Sequence, residues 1–219
     1  MKQIIASFIL LGATTMASKA QNLSMGPISG FNHTWMTNSG NNRVFNPGGS
    51  FGGRMTYSFN PHWGVGTDLI ASWEGVKTSR DFTNNTTSVD ANLVFVRLQP
   101  KMIYYFGELG DRVRPNIYGG TSFGVLAGGK TTTTVAATNE GPSVSTKVDS
   151  RDNYNSLDAA LMAGVGVNYR LGKAIWLNTD LAYTNGLVDL TKSENSWSAS
   201  RGISFNVGVT FPIGTVNAH

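Results

Sequence analysis

One alternation constrains this chain more than any other feature. Near the C-terminus Ile203, Phe205, Val207, Val209 and Phe211 share one parity, while Ser204, Asn206, Gly208 and Thr210 take the other. A period of two puts the apolar set on one face of a β-strand and the polar and small set on the opposite face. The same rhythm recurs in residues 24–35, 51–59, 63–74, 91–106, 116–126, 157–171 and 174–187, which with the closing segment makes eight strands. Each is at or above the ~9–11 residues with which a tilted strand crosses a bilayer.

The intervals between these segments alternate in length. Tight turns fall at Asn60-Pro61-His62, at residues 107–112 and at Gly172-Lys173, and long polar stretches at residues 37–48, 75–90, 128–156 and 188–200. Short turns at one end and long loops at the other are the hairpin rhythm of bacterial outer-membrane barrels, whose short turns face the periplasm. The expected fold is therefore all-β: a single eight-stranded antiparallel up-and-down transmembrane β-barrel. Thr131 to Thr134 fall in the longest interval and read as part of a solvated, mobile loop.

The first residues name a compartment. Lys2 precedes an apolar run from Ile4 to Leu11, and small residues lead to Ser18, Lys19 and Ala20, the plan of a secretory signal peptide. Cleavage is expected after Ala20, giving residues 1–20 as leader and 21–219 as barrel. The apolar run is far short of the ~20 residues of a membrane-spanning helix. No second long run follows, which leaves a barrel as the membrane option. Cysteine is absent, so thiolate catalysis, zinc–thiolate sites and disulfides drop out. The formal charge of +4 includes Lys2 and Lys19 of the leader. The remainder is close to neutral and shows no basic patch with interleaved aromatics, so nucleic acid is not an expected partner.

Charge placement tells which face meets lipid. Arg54, Asp68, Glu74, Arg97, Lys101, Asp158, Arg170 and Asp180 all fall on the polar parity. The opposite parity carries Met55, Tyr57, Val65, Leu69, Val96, Leu98, Phe123, Val125, Leu161, Val165, Leu177 and Leu181. Equal numbers of acids and bases suit a narrow lumen in which each charge needs a partner. Gly52, Gly64, Gly66, Gly120, Gly124, Gly164, Gly166 and Gly208 share the charged face, leaving room for long side chains in an interior that eight strands only just fill. Apolar-face aromatics gather towards strand ends: Phe59, Trp63, Tyr104, Phe106, Tyr169 and Phe211 near the short turns, and Phe51, Trp73 and Tyr183 near the long loops. Two interfacial girdles are expected. A soluble barrel, the alternative, would turn its apolar face inward. If the first tight turn occupies Asn60 to His62, Arg54 stands opposite Asp68.

Catalytic parts are sparse. His33 with Thr34, Ser72 and Glu74 supplies the groups of a nucleophilic relay, but its parity is that of Phe31 and Trp35, away from the lumen. Asp68 and Glu74 lie six residues apart on one strand, too far for a glycosidase pair. Asp149, Asp152 and Asn153 offer oxygen ligands without a calcium-loop pattern. Gly164-Val165-Gly166 lies inside a strand and opens no helix, so it is not a phosphate loop. No catalytic residue, metal or cofactor is expected.

The closing segment from Asn206 to Gly214, the pieces Arg114-Pro115-Asn116-Ile117-Tyr118-Gly119-Gly120 and Ala163-Gly164-Val165-Gly166-Val167, and Leu98-Gln99-Pro100-Lys101 carry a resemblance. Along the whole mature chain the sequence resembles the PorT-like outer membrane protein β-barrel domain families, relatives in architecture of small OmpA- and OmpX-type barrels. The resemblance implies an outer-membrane barrel; with no catalytic constellation found, the expected role is a non-enzymatic anchor, placed by the barrel-insertion machinery among lipid and lipopolysaccharide. Its surface loops would meet an envelope component or ligand. A small pore is the second expectation and a lipid-modifying enzyme the third.

Overall fold

The computed structural model describes residues 23–37, 43–45, 47–81, 85–108, 110–137, 143–172, 175–192 and 197–213; the leader assigned to residues 1–20 lies outside them. Its elements are β1 (Leu23–Met36), β2 (Arg43–Val44), β3 (Pro47–Ser58), β4 (Trp63–Asp81), β5 (Asn85–Tyr105), β6 (Val113–Ala137), β7 (Val144–Asp149), a helical turn α1 (Ser150–Asn153), β8 (Leu157–Arg170), β9 (Trp176–Gly186) and β10 (Ser200–Pro212). Eight of the strands close a ring in the order β1-β3-β4-β5-β6-β8-β9-β10, each antiparallel to its neighbours, with β10 returning to β1. This is an eight-stranded up-and-down barrel. β2 and β7 add to β4 and β6 beyond it.

The alternation sorts side chains to the two walls. Leu69 and Leu161 are 55% and 53% exposed on the outside, whereas Asp68 and Asp158 on the inside are 2% and 3% exposed. Apolar groups therefore point away from the barrel and charges towards its centre, the reverse of a soluble barrel. No described helix is long and apolar enough to cross a membrane; this chain crosses with strands.

The short turns are locally encoded. Asn60 accepts from the backbone N–H groups of His62 (2.9 Å) and Trp63 (2.8 Å) through Oδ1, a turn that the Asn side chain supports by standing in for backbone. Phe59 N–H donates to the Trp63 carbonyl at 2.9 Å, closing the hairpin. The β5–β6 turn uses Gly107 (φ 85°) and Gly110 (φ 117°) in the left-handed region that glycine alone enters freely.

Two expected loops are mostly strand. β4 and β5 stay paired from Glu74↔Leu93 to Asp81↔Thr86, so residues 75–81 and 86–90 form two tall, paired strands. β6 runs on through the threonines, which pair with Ser88 to Ala91 on one side and with Thr146 to Val148 and Ser145 on the other. Thr131 is buried. Threonine and valine favour extended backbone, but beyond Thr131 both sheet faces are part-exposed. No apolar alternation then marks the strand.

Two prolines interrupt the ring. Pairing of β1 with β10 skips from Met25↔Phe211 to Ile28↔Gly208 across Pro27, and pairing of β5 with β6 skips from Leu98↔Phe123 to Lys101↔Gly120 across Pro100. Proline has no N–H to give to a ladder. These seams divide the barrel into two arcs of four strands.

Candidate functional site

The lumen holds two ion-pair clusters at different heights. In the lower one Arg54 Nε and Nη2 donate to Asp68 Oδ1 and Oδ2 at 2.8 Å each, and Nη1 reaches Asp180 Oδ2 at 2.7 Å. Lys101 Nζ donates to Asp68 Oδ2 at 2.6 Å. Tyr118 and Asn206 both donate to Asp180 Oδ1, at 2.9 and 2.8 Å. In the upper cluster Arg97 grips Glu74 with Nε at 2.5 Å and Nη2 at 2.8 Å, and Nη2 also donates to Asp158 Oδ2 at 2.7 Å. Ser200 donates to the same oxygen at 3.2 Å. Forked guanidinium–carboxylate bonds are the strong, geometrically specific kind, and in a lumen desolvated by the surrounding strands a charge left with no partner is costly.

Both clusters bridge the two arcs. Arg54 on β3 meets Asp180 on β9, and Arg97 on β5 meets Asp158 on β8. Side-chain bonds across the centre thus join arcs whose backbone seams are each broken by a proline.

Seven of the eight expected lumenal charges are in these clusters; Arg170 is not. It keeps the inward parity, but sits at the short-turn end opposite Trp176, only part-buried, and its backbone N–H bonds Arg112. No described carboxylate pairs with it. The expected balance of acids and bases is therefore corrected locally. The upper cluster has two carboxylates for one guanidinium, and Asp158 Oδ1 is buried without a partner. The lower end carries an extra cation, Arg114, 5% exposed and stacked 4.4 Å from the Tyr105 ring. Arg114 and Tyr118 share the parity of Gly120 and Gly124, the signal that marks them as lumenal; a strand read as starting at residue 116 excludes Arg114.

Above the upper cluster the lumen is apolar. Met36, Ala91, Leu93, Phe95 and Leu126 pack with Tyr154 and Leu190, two residues from the long connections. Those connections are tied together: Asn155 N–H donates to the Leu190 carbonyl (2.8 Å), Lys192 N–H to that of Asn153 (3.1 Å) and Lys192 Nζ to that of Arg151 (2.6 Å). Asp189 accepts from Thr191 and Ser198 backbone N–H groups at 3.0 and 2.9 Å, and these bonds hold its carboxyl below the usual carboxylate range. Burial pushes the Tyr154 phenol up. The long-loop mouth is thus closed by a folded cap.

On the outer wall Trp63, Tyr104 and Phe106 form a ladder of edge-on rings with centroids 5.0 and 5.1 Å apart, and Tyr57 meets Phe59 at 5.4 Å. Tyr169 lies beneath Arg112, and Phe211 is exposed beside Met25 on the neighbouring strand. Phe51, Trp73 and Tyr183 are exposed at the long-loop side.

The relay parts do not assemble. His33 stacks outside with Trp35 and Phe45 at 5.5 and 4.7 Å. Ser72 accepts from Asn32, Thr34 exchanges bonds with Gly75, and Glu74 is held by Arg97. Asp68 and Glu74 belong to different clusters. Asp149 caps α1 by accepting from Arg151 N–H at 2.9 Å. Glycines 164 and 166 make room: a Cβ on the first would strike the Tyr118 phenol and on the second Asn116 and Asp180.

Among solved structures the chain is similar to neisserial surface protein A, at 11% identity and TM-score 0.49, covering 88% of this chain and 97% of that one. It is also similar to OprG of Pseudomonas aeruginosa, at 13% identity and TM-score 0.47 over 86% and 94%. Ail of Yersinia pestis matches at 12% identity and TM-score 0.38 over 86% and 97%. No curated protein matches in sequence. Residues 19–192 match the family described as outer membrane protein beta-barrel domain, and with its closed ring of strands the chain belongs to that family of outer-membrane barrels.

Proposed function

We propose that the barrel is an anchor in the outer membrane and that the sheet above it binds a partner through β7. One observation carries this reading. β4, β5 and β6 stay paired for eight rungs beyond Trp73, from Glu74↔Leu93 to Asp81↔Thr86, which at ~3.3 Å per residue adds about 25 Å of strand beyond the aromatic band. β7 ends that sheet. Every residue of Val144–Asp149 is exposed, and the strand pairs only with β6 among the described residues. An open edge of unpaired N–H and C=O groups is a template for strand addition by an extended peptide.

A non-enzymatic role agrees with relay parts that face opposite sides of the wall. A pore is disfavoured by ion pairs across the lumen centre and the apolar cap above them. The reading includes export through a leader cleaved after Ala20, insertion by the barrel-assembly machinery, contact with lipopolysaccharide, and a PorT-like place within the family.

The test uses the full chain in lipid nanodiscs as bait for a displayed library of unstructured peptides. Binders should be lost on Thr146→Pro, which removes an N–H and bends the edge, while heat-modifiable gel mobility stays normal. Binders indifferent to that change, or steady single-channel openings in planar bilayers, would overturn the reading.

A further inference from the structure

The short-turn end of the lumen holds a partly open cavity of about 140 Å³, lined by Arg54, Lys101, Arg114, Asn116, Asn168 and Asp180. One water centre needs only ~10–15 Å³, so a tetrahedral oxyanion fits with water to spare. Among the described residues the ion pairs at this end set Arg54 and Lys101 against Asp68 and Asp180, and Arg114 is a third cation, which the exposed Glu108 and Asp111 reach only from beyond ion-pair distance.

Arg114 carries the excess. Its Nη2 donates to the Pro61 carbonyl, its plane lies on Tyr105, and its Nε finds no acceptor. Among the described residues no carboxylate comes within ion-pair distance of it. The nearby Asp111 is exposed and spends an oxygen on Glu108 N–H at 2.8 Å. A guanidinium shielded this far needs a counter-ion. Its fork matches two oxygens of one anion, and Asn116 and Asn168, joined by a long 3.3 Å bond, bring amides to the same wall.

We infer that this cavity is a binding site for a small oxyanion, with Arg114 as the counter-charge. Phosphate and carboxylate share the recognising chemistry, and the site opens at the end that faces the periplasm in bacterial barrels. It is independent of β7, so either reading can fail alone.

Calorimetric titration of the full chain in detergent, at fixed ionic strength, tests it with phosphate, acetate and chloride. Wild type should take up one phosphate or one acetate per chain, and the tighter of the two names the natural source. Arg114→Gln should weaken uptake about tenfold or more. Arg170→Gln, a charge lost at the same barrel end outside the cavity, should leave it unchanged. If Arg114→Gln fails the heat-modifiability check, Asn168→Leu, which removes an amide from the cavity wall and keeps the charge, must weaken uptake instead. No uptake by wild type at ~10 mM, chloride binding as tightly as either oxyanion, or uptake indifferent to the variant that folds would each overturn the site.

Discussion

Arg54 and Asp68 stand directly opposite one another on β3 and β4, and the guanidinium holds the carboxylate by two parallel bonds of 2.8 Å each. Their register follows from the three-residue turn at Asn60, so a local signal places two charges that must meet. Removing either one strands the other in a dry lumen, at a cost of ~3–5 kcal/mol. We expect Arg54→Ala and Asp68→Ala to be non-additive by ~1–3 kcal/mol in urea unfolding from lipid vesicles. Additive losses would deny the pair.

The upper cluster predicts an asymmetry. Among the described residues Arg97 is the one cation ion-paired with Glu74 and Asp158, so Arg97→Met leaves two buried carboxylates and should cost ~3–5 kcal/mol. Asp158→Asn removes surplus negative charge where Oδ1 has no partner, and should change stability by less than ~1 kcal/mol. Equal losses from the two variants in the same unfolding experiment would contradict this charge count.

The outer wall predicts a depth profile. Leu69 lies midway between Trp73 and Trp63 bands on β4 and points away from the lumen. Leu69→Arg should cost ~2–4 kcal/mol in folding into vesicles, the range for a cation at the bilayer midplane. Val144→Arg, on the sheet above the membrane, should cost close to nothing. A matching penalty at both positions would place the bilayer elsewhere.

The cap predicts a pH dependence. The Ser198 and Thr191 backbone N–H groups hold the Asp189 carboxyl low, so the folded loop favours its charged form. That contribution is present above the ordinary carboxylate pKa of ~3.9 and is lost as pH falls through the depressed folded value. Amide exchange at Thr191 and Ser198, compared with other cap amides at each pH, should accelerate below about pH 4. In Asp189→Asn that acid-dependent change should disappear; its persistence would assign the effect to another group.

Much of the barrel was legible in residue order. Wall assignment followed from parity, so Arg54, Asp68, Glu74, Arg97, Lys101, Asp158 and Asp180 could be put inside before any partner was known. Tyr118 was missed because a lumenal tyrosine carries no charge to betray its face. The tall β4–β5–β6–β7 sheet was missed because threonines and serines with water on both sides alternate nothing. Leu190 and Tyr154 read as loop residues, yet their burial depends on a mouth formed by strands far away in sequence.

Residue order by itself determined which side chains point to lipid and which to the lumen, because a strand's two-residue period is a property of the local backbone. Only ring closure decided which charges meet. Arg54 finds Asp180 across 126 positions of chain, and Arg114 ends with no described acid in ion-pair reach while Asp158 has more acid than base around it. Those distances are set by the curvature of eight strands, which no short segment encodes.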